Sequence, residues 1–167
     1  MSLQQFFAQH NRIALAFSGG VDSAYLLYAG IKAGCDLHAY YVKSAFQPQF
    51  ELEDAKRLAQ ELGAKMTVLD VDVLSDPLIT SNPSNRCYYC KRKIFQTIAE
   101  AAKTDGYETL IDGTNASDEA SDRPGMKALA ELSVLSPLRI CGINKEEVRK
   151  LSKEAGLFTW DKPAYAC

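Results

Sequence analysis

An apolar run at residues 13–17 is followed directly by Ser-Gly-Gly-Val-Asp-Ser at residues 18–23, and then by a stretch with helical spacing of its apolar side chains. This order predicts a strand, a tight loop and a helix. Two consecutive glycines let the backbone turn sharply and approach a ligand, and the start of the helix offers N–H groups and the positive end of its dipole to an anion. The segment therefore predicts a cradle for a phosphate group.

The rest of the chain continues to alternate short runs of branched and aromatic residues with longer amphipathic segments. The candidate strands are residues 13–17, 37–42, 66–71, 109–112 and, less clearly, 134–137. Helical stripes lie between them, with expected helix ends at Gly34 and Gly63, and further helices are expected after Asp122 and from Asn144. The pattern predicts an α/β domain of three layers, with about five parallel strands and helices on both faces.

Composition limits the classes of protein to which the chain can belong. With 167 residues, 47% of them hydrophobic, it suits one well-buried core, so we expect a single domain over residues 1–167. A formal net charge of -2 gives no general attraction to nucleic acid or to anionic membranes. The first residues lack a leader pattern and no apolar run is long enough to span a bilayer, so we expect a cytoplasmic protein.

The phosphate cradle lacks the Gly-Lys-Ser/Thr ending of a Walker A loop. It resembles the signature of the ATP pyrophosphatases, which bind ATP, transfer AMP to a substrate oxygen and release pyrophosphate. The resemblance implies the three-layer fold of the adenine nucleotide alpha hydrolases, or HUP class, with serine hydroxyls and loop amides on the pyrophosphate and the aspartate near magnesium. The ATP-binding candidates are then Ser18, Gly19, Gly20, Val21, Asp22 and Ser23. The alternative is a Gly-Gly turn followed by a helix cap.

A second polar loop follows the fourth candidate strand, beginning with Asp112 and Gly113. Gly113 is a further candidate for ATP binding, because a nucleotide packed against a loop needs close approach of the backbone. Asp118 and Glu119 are candidates for binding magnesium or substrate, since carboxylates suit a magnesium ion that bridges phosphates. A solvated acidic loop with Asp122 as a helix cap is the alternative.

Cys87 and Cys90 form a C-x-x-C pair in front of a Lys-Arg-Lys run. Nearby positive charge and a helix start make thiols more reactive. Zinc is a weak hypothesis here, because a tetrahedral site usually needs two such pairs and the two histidines, His10 and His38, lie in unrelated segments. An iron–sulfur cluster lacks the spacing. We therefore assign no certain metal site, and structural thiols are the plain alternative.

Several other segments, in the same order along the chain, are similar to one group of ATP pyrophosphatases. They are Asn-Arg-Cys-Tyr-Tyr-Cys-Lys at 85–91, Asp-Gly-Thr-Asn at 112–115, Asp-Arg-Pro-Gly at 122–125 and Thr-Trp-Asp-Lys-Pro-Ala-Tyr-Ala-Cys at 159–167. Together with the phosphate loop they resemble the LarE group, the ATP-dependent sacrificial sulfur transferases. The resemblance runs from the phosphate loop to the last residue.

The LarE resemblance implies an activity. Members of the group adenylate a carboxylate of a pyridinium mononucleotide on the route to the nickel-pincer cofactor of lactate racemase. A cysteine then attacks the acyl adenylate, and cleavage of its carbon–sulfur bond leaves the sulfur on the substrate and dehydroalanine in the protein. This implies Cys167 as the sulfur donor and ATP with Mg²⁺ as cofactors. Tyr88 is a further candidate for binding substrate or magnesium. An inert terminal thiol is the alternative for Cys167.

Members of the LarE group ordinarily continue past this cysteine into a region that supplies substrate contacts and oligomer interfaces. We therefore expect residues 1–167 to form a single ATP pyrophosphatase domain. The candidate macromolecular partners are a second copy of the chain, in a homo-oligomer, or another protein that supplies the C-terminal region. The alternatives are a tRNA thiolase or an ammonia-dependent synthetase of the same superfamily, or a nucleotide-binding module that needs a partner. The acidic net charge counts against tRNA.

Overall fold

The computed structural model describes residues 2–43, 49–71, 86–117 and 130–162. In these ranges helices alternate with strands. The elements in chain order are α1 (Leu3–Gln9), β1 (Arg12–Ala16), α2 (Val21–Lys32), β2 (Asp36–Lys43), α3 (Gln49–Leu62), β3 (Lys65–Asp70), α4 (Arg86–Thr104), β4 (Thr109–Ile111), α5 (Pro137–Ile140) and α6 (Lys145–Glu154).

The four strands form one parallel sheet in the order β3-β2-β1-β4. Ile13 of β1 lies beside Leu37 of β2 on one side and Thr109 of β4 on the other. The α/β fold predicted from the sequence is confirmed. β2 and then β3 lie on one side of β1, and β4 lies on the other side. The direction in which successive strands are added to the sheet therefore reverses between β1 and β4. In open α/β sheets, ligands bind at the carboxyl ends of the strands beside such a reversal.

Side chains of each strand alternate between two separate apolar cores, as a buried parallel sheet requires. Ile13 and Leu15 of β1 belong to the core that includes buried residues of α1, α2, α3 and α6. Ala14, between them, belongs to the core on the opposite face, where Phe95 and Ile98 of α4 are buried. Helices therefore cover both faces of the sheet, and the three-layer prediction is confirmed.

The fifth predicted strand, residues 134–137, is reduced to one parallel bridge between Leu135 and Ile111. Two backbone hydrogen bonds accompany it, from the Leu135 N–H to the Leu110 carbonyl and from the Asp112 N–H to the Leu135 carbonyl, both 3.0 Å long. The chain cannot extend this pairing. Ser133 turns it sharply with a φ of 57°, and Pro137 already begins α5. The prediction of a full strand at 134–137 was wrong, although the bridge lies where that strand would pair.

Helix ends follow the local signals in the sequence. Gly34 and Gly63 adopt φ values of 84° and 65°, as expected for glycines that end α2 and α3. Asn144 caps α6 by accepting a hydrogen bond from the Glu147 N–H at 2.9 Å. The sequence analysis missed α1, which has a capping box at Ser2. The helix predicted after Asp122 lies outside the described residues, and no helix among those described could cross a membrane.

A charged cluster ties the amino ends of the strands together, opposite the edge that carries the phosphate loop. Asp36, the first residue of β2, accepts hydrogen bonds from Lys65 of β3 at 2.9 Å and from the Tyr107 hydroxyl at 2.9 Å. It also pairs with Arg12 of β1 at 3.2 Å. These contacts, the Lys65 hydrogen bond first, lower the pKa of the Asp36 carboxyl to about 2. The cluster therefore joins three strands when Asp36 is ionised.

Replacing Asp36 should therefore reduce stability in a pH-dependent way. The folded-state pKa lies below the ordinary 3.8, so ionised Asp36 stabilises the fold above about pH 4 and this contribution disappears as the pH falls towards about 2. We expect Asp36→Asn to lower the free energy of unfolding by about 1 kcal/mol at pH 7, a modest value because the side chain is partly exposed.

Urea unfolding at a series of pH values measures the difference between the wild type and Asp36→Asn. The difference should shrink as the pH falls below about 4. Glu53→Gln, at an exposed carboxylate on α3, is the matched control and should show no such trend. A difference that stays constant from pH 6 to pH 3 would contradict the prediction.

Candidate functional site

The phosphate loop leaves β1 at its carboxyl end and turns directly into α2. Gly19 has a φ of 77°, a conformation that glycine adopts without strain, and Gly20 is the N-cap residue of α2 in an extended conformation. Gly20 makes no side-chain cap, and the first N–H groups of a helix have no acceptor within it. The loop therefore offers backbone donors and the positive end of the α2 dipole, as an anion site requires.

Two serine hydroxyls support this loop from within. The Ser23 Oγ, which is buried, accepts a hydrogen bond from the Ser18 N–H at 3.1 Å and lies 3.0 Å from the Ser18 Oγ. The Ser18 Oγ accepts a hydrogen bond from the Gly20 N–H at 3.3 Å. The two hydroxyls thus fix both ends of the turn, and they place two polar groups beside the backbone donors.

Gly19 also lets the loop pack closely against α3. A Cβ at Gly19 would lie 3.3 Å from the Ala55 Cβ and 3.3 Å from the Glu51 carbonyl oxygen. Such a contact is tighter than most side chains tolerate. The loop is therefore held between β1 and α3.

Asp22, in the first turn of α2, joins three parts of the chain. Its carboxylate accepts a hydrogen bond from the Asn115 Nδ2, in the loop after β4, at 3.1 Å. It also forms an ion pair with the Nζ of Lys145, the first residue of α6. Asn115 is fully buried, and the Asp22 side chain is 15% exposed. The site therefore contains the carboxylate of Asp22 and the ammonium group of Lys145 beside the start of α2.

Asp112 anchors the loop after β4. Its carboxylate is buried and accepts hydrogen bonds from the Thr114 and Ser136 hydroxyls, each at 2.6 Å. Burial raises the pKa of the Asp112 carboxyl, and the two hydroxyl hydrogen bonds together with the nearby charge of Lys91 oppose that shift. Both carboxylate oxygens of Asp112 accept hydrogen bonds from side chains of this chain, so Asp112 stabilises the conformation of the loop.

Gly113 brings the loop after β4 into contact with the start of α2. A Cβ at this position would lie 3.0 Å from the Ser23 backbone nitrogen and 3.1 Å from the Asp22 Cβ. The sequence analysis assigned Gly113 to close approach of a nucleotide. The structure gives another reason for a glycine here, which is close packing of the two loops that form the site.

Lys162 is a functional candidate that the sequence analysis did not assign. Its Nζ donates a hydrogen bond to the Gly19 carbonyl at 3.1 Å and lies 3.1 Å from the Asp54 Oδ2 of α3. The Lys162 side chain is only 9% exposed. Lys162 lies in the motif at residues 159–167, whereas Lys145 belongs to no motif. Both lysines meet the phosphate loop through contacts between residues far apart in the sequence.

The remaining predicted site residues are only partly described. Tyr88, Cys87 and Cys90 lie in the first turns of α4, and their side chains are outside the described part of the structure. Asp118, Glu119, Asp122 and Cys167 lie outside the described residues altogether. Among the residues that are described, no three His, Cys, Asp or Glu side chains come together in a group that could hold a metal ion.

Comparison with known proteins gives one family match and several relatives. Residues 7–166 match the family described as Thiamine biosynthesis protein (ThiI). An uncharacterized protein of Synechocystis sp. is 38% identical over 99% of this chain and 62% of its own length. The pyridinium-3,5-bisthiocarboxylic acid mononucleotide synthase of Lactiplantibacillus plantarum is 35% identical over 92% of this chain and 56% of its own length. The chain thus spans less than two thirds of the length of either relative.

A solved structure confirms the fold independently of these relatives. The NH3-dependent NAD synthetase of Campylobacter jejuni, solved with a nitrate ion, superposes with a TM-score of 0.77. The likeness covers 98% of this chain and 74% of that chain, at 20% sequence identity. At that identity it supports the α/β fold and nothing finer.

A methyl group at Gly113 should separate the two loops of the site. We expect Gly113→Ala to lower the free energy of unfolding by about 1–3 kcal/mol, because the new Cβ meets backbone that cannot move aside cheaply. Chemical denaturation measures this, with Glu108→Ala, at an exposed residue just before β4, as a control expected within about 0.5 kcal/mol of the wild type. Unchanged stability of Gly113→Ala would show that the loops do not need this contact.

Proposed function

The chain belongs to the ThiI-like PP-loop ATP pyrophosphatase family, and on that premise we propose that it activates a substrate carboxylate with ATP and then transfers sulfur to it from Cys167. The observation that carries this proposal is the loop at residues 18–23, with its glycine turn, two serine hydroxyls and helix N-terminus at the order reversal of the sheet. The substrate we propose is a carboxylated pyridinium mononucleotide, in the biosynthesis of a nickel-pincer cofactor.

In the first step, a substrate carboxylate oxygen attacks the α-phosphorus of ATP, and pyrophosphate leaves with the electron pair of the broken bond. The ATP phosphates lie against the N–H groups of the loop, with Ser18 and Ser23 hydroxyls as further donors. Negative charge develops on the leaving pyrophosphate. Lys145 lies beside this loop, and an ammonium group in that position stabilises the charge of the transition state.

Magnesium fits the chemistry of this site. Asp22 offers carboxylate oxygens at the start of α2, and hard oxygen ligands are those that magnesium prefers. A magnesium ion bound there would neutralise phosphate charge. Asp118 and Glu119 remain our further candidates for its ligands.

In the second step, the Cys167 thiolate attacks the acyl carbon, and AMP leaves to give a thioester. Removal of the Cys167 α-proton then allows the Cβ–S bond to break, with its electron pair staying on the sulfur. The products are a thiocarboxylate on the substrate and dehydroalanine in the protein. A thiolate suits this role because it is a strong nucleophile near neutral pH. The Lactiplantibacillus relative is a pyridinium-3,5-bisthiocarboxylic acid mononucleotide synthase, and this similarity supports a thiocarboxylate product.

One assay separates this proposal from its alternatives. The chain is incubated with ATP, magnesium and the carboxylated pyridinium mononucleotide, and pyrophosphate and intact protein mass are followed. Pyrophosphate release with loss of the elements of hydrogen sulfide from the protein supports sulfur transfer. Pyrophosphate release without that loss indicates adenylation alone, as in an ammonia-dependent synthetase. ATP binding without turnover indicates a module that needs a partner, and turnover only with tRNA indicates a thiolase.

Gly20→Ala tests the phosphate loop directly. The new Cβ would meet only the Ser18 Oγ, at 3.4 Å, so the loop can keep its conformation. We expect the free energy of unfolding to change by at most about 1 kcal/mol, the size of an N-cap preference. ATP affinity should fall about tenfold or more, because the methyl group would crowd the Ser18 hydroxyl that we propose as a phosphate donor. Calorimetric titration with ATP measures this, and equal affinity for the variant and the wild type would contradict the proposal.

Cys167→Ser tests the sulfur donor. Pyrophosphate release should continue, since the first step uses no thiol, while dehydroalanine should no longer form. Intact mass and pyrophosphate assays measure both. Cys141→Ser is the matched control and should behave like the wild type, because burial raises the pKa of the Cys141 thiol and so disfavours the nucleophilic thiolate. Dehydroalanine formation in Cys167→Ser would rule out the donor role.

A further inference from the structure

The 157–162 segment, which leads towards Cys167, is fixed to the domain by cationic side chains from two helices. Arg57 of α3 lies over the Phe158 ring at 4.0 Å from its centroid. Arg149 of α6 donates a hydrogen bond to the Trp160 carbonyl at 3.0 Å, and Lys153 lies 4.8 Å from the centroid of the Trp160 ring. These contacts hold the segment beside α3 and α6 up to its last described residue, Lys162.

Lys162 connects this segment to the phosphate loop. A buried ammonium group costs free energy unless it is paired and hydrogen-bonded, and here Asp54 supplies the charge and the Gly19 carbonyl supplies a second acceptor. The Asp54 side chain is 36% exposed, so the pair contributes little net stability, and its presence is better explained by what it positions. What it positions is the peptide between Gly19 and Gly20.

The direction of that peptide matters for anion binding. In a planar trans peptide the carbonyl and the following N–H point in opposite directions. The Gly19 carbonyl points to Lys162, and the Gly20 N–H points the other way, to the Ser18 Oγ at 3.3 Å. Lys162 therefore holds the peptide with its oxygen turned away from the Ser18 hydroxyl and its N–H turned towards that hydroxyl.

The same lysine limits how far the sulfur donor can lie from this loop. Cys167 is five residues further along the chain. An extended chain spans at most roughly 3.6 Å per residue, so the Cα atoms of Lys162 and Cys167 are at most about 18 Å apart. Without the contact to Gly19, the position of residue 162 relative to the cradle would be less restrained.

We propose that Lys162 is a positioning residue that couples the two steps of the reaction, by orienting the Gly19–Gly20 peptide for ATP and by fixing residue 162, from which the chain continues to Cys167, at the phosphate loop. The proposal rests on the proposed function. It predicts that loss of the lysine affects ATP binding and also lowers the fraction of activation events that end in sulfur transfer.

The test compares Lys162→Met with Lys162→Arg, using Lys103→Met, at an exposed lysine in the last turn of α4, as the matched control. Two readouts are used, the dissociation constant for ATP and the number of dehydroalanine residues formed per pyrophosphate released. For Lys162→Met we expect the affinity for ATP to fall about tenfold, which is the size of effect that loss of a hydrogen bond from a charged group produces. The number of dehydroalanine residues formed per pyrophosphate released, the dehydroalanine ratio, should fall about tenfold or more. Lys162→Arg should recover part of both, and Lys103→Met should match the wild type.

Thermal denaturation shows whether each variant is folded. If Lys162→Met does not fold, Asp54→Asn replaces it, since this change removes the charge that holds the ammonium group in place. An unchanged dehydroalanine ratio in a folded variant overturns the coupling, even where ATP affinity has fallen. Where pyrophosphate release is too slow to count, unchanged ATP affinity overturns the proposal.

Failure of the proposed function gives a different result. In that case the wild type itself forms no dehydroalanine with the pyridinium substrate. The ATP affinity of Lys162→Met then still tests the role of the lysine in the phosphate loop.

Discussion

The contact between Gly113 and the first turn of α2 brings the two halves of the site together. β1 and β4 are neighbours in the sheet, but the loops that follow them begin far apart in the sequence, at Phe17 and at Asp112. A Cβ at Gly113 would lie 3.0 Å from the Ser23 backbone nitrogen in α2, so the two loops can come this close only because residue 113 has no side chain. Once they touch, Asn115 reaches Asp22, and the phosphate loop gains a polar neighbour from β4. The site thus depends on a close backbone contact more than on any single polar group.

Much of the fold could be predicted from the sequence because its signals are local. The predicted strand at 13–17 and β1 (Arg12–Ala16) differ by one residue at each end, and the glycines at 34 and 63 end their helices as expected. The fifth strand failed because two local features outweighed its apolar pattern, a turn at Ser133 and the start of α5 at Pro137. The family assignment made from the motifs is confirmed, since the match to the ThiI family extends over residues 7–166.

The site was less predictable, and the reason is sequence separation. The loop at 18–23 is one continuous motif, so its turn and helix start are visible in the sequence. The lysines are not, since Lys145 meets Asp22 across 123 residues and Lys162 meets Gly19 across 143 residues. Lys145 lies in no motif, and the motif at 159–167 that contains Lys162 does not show that its side chain reaches the loop. Packing of α6 and of the segment after it against α2 and α3 brings them to the loop.

The charges around the phosphate loop are paired before any ligand arrives. Lys145 is bound to Asp22, and Lys162 is bound to Asp54 and to the Gly19 carbonyl. Each ion pair offsets the free-energy cost of burying the lysine charge, and it leaves fewer unpaired ammonium groups to bind phosphate. The two pairs differ in burial, since the Lys145 side chain is 31% exposed and that of Lys162 is 9% exposed. Exchange of Asp22 for a phosphate would therefore cost Lys145 less desolvation than the loss of Asp54 would cost Lys162, whose ammonium group is the more buried of the two. This difference is why we propose Lys145 for contact with the phosphates and Lys162 for the geometry of the loop.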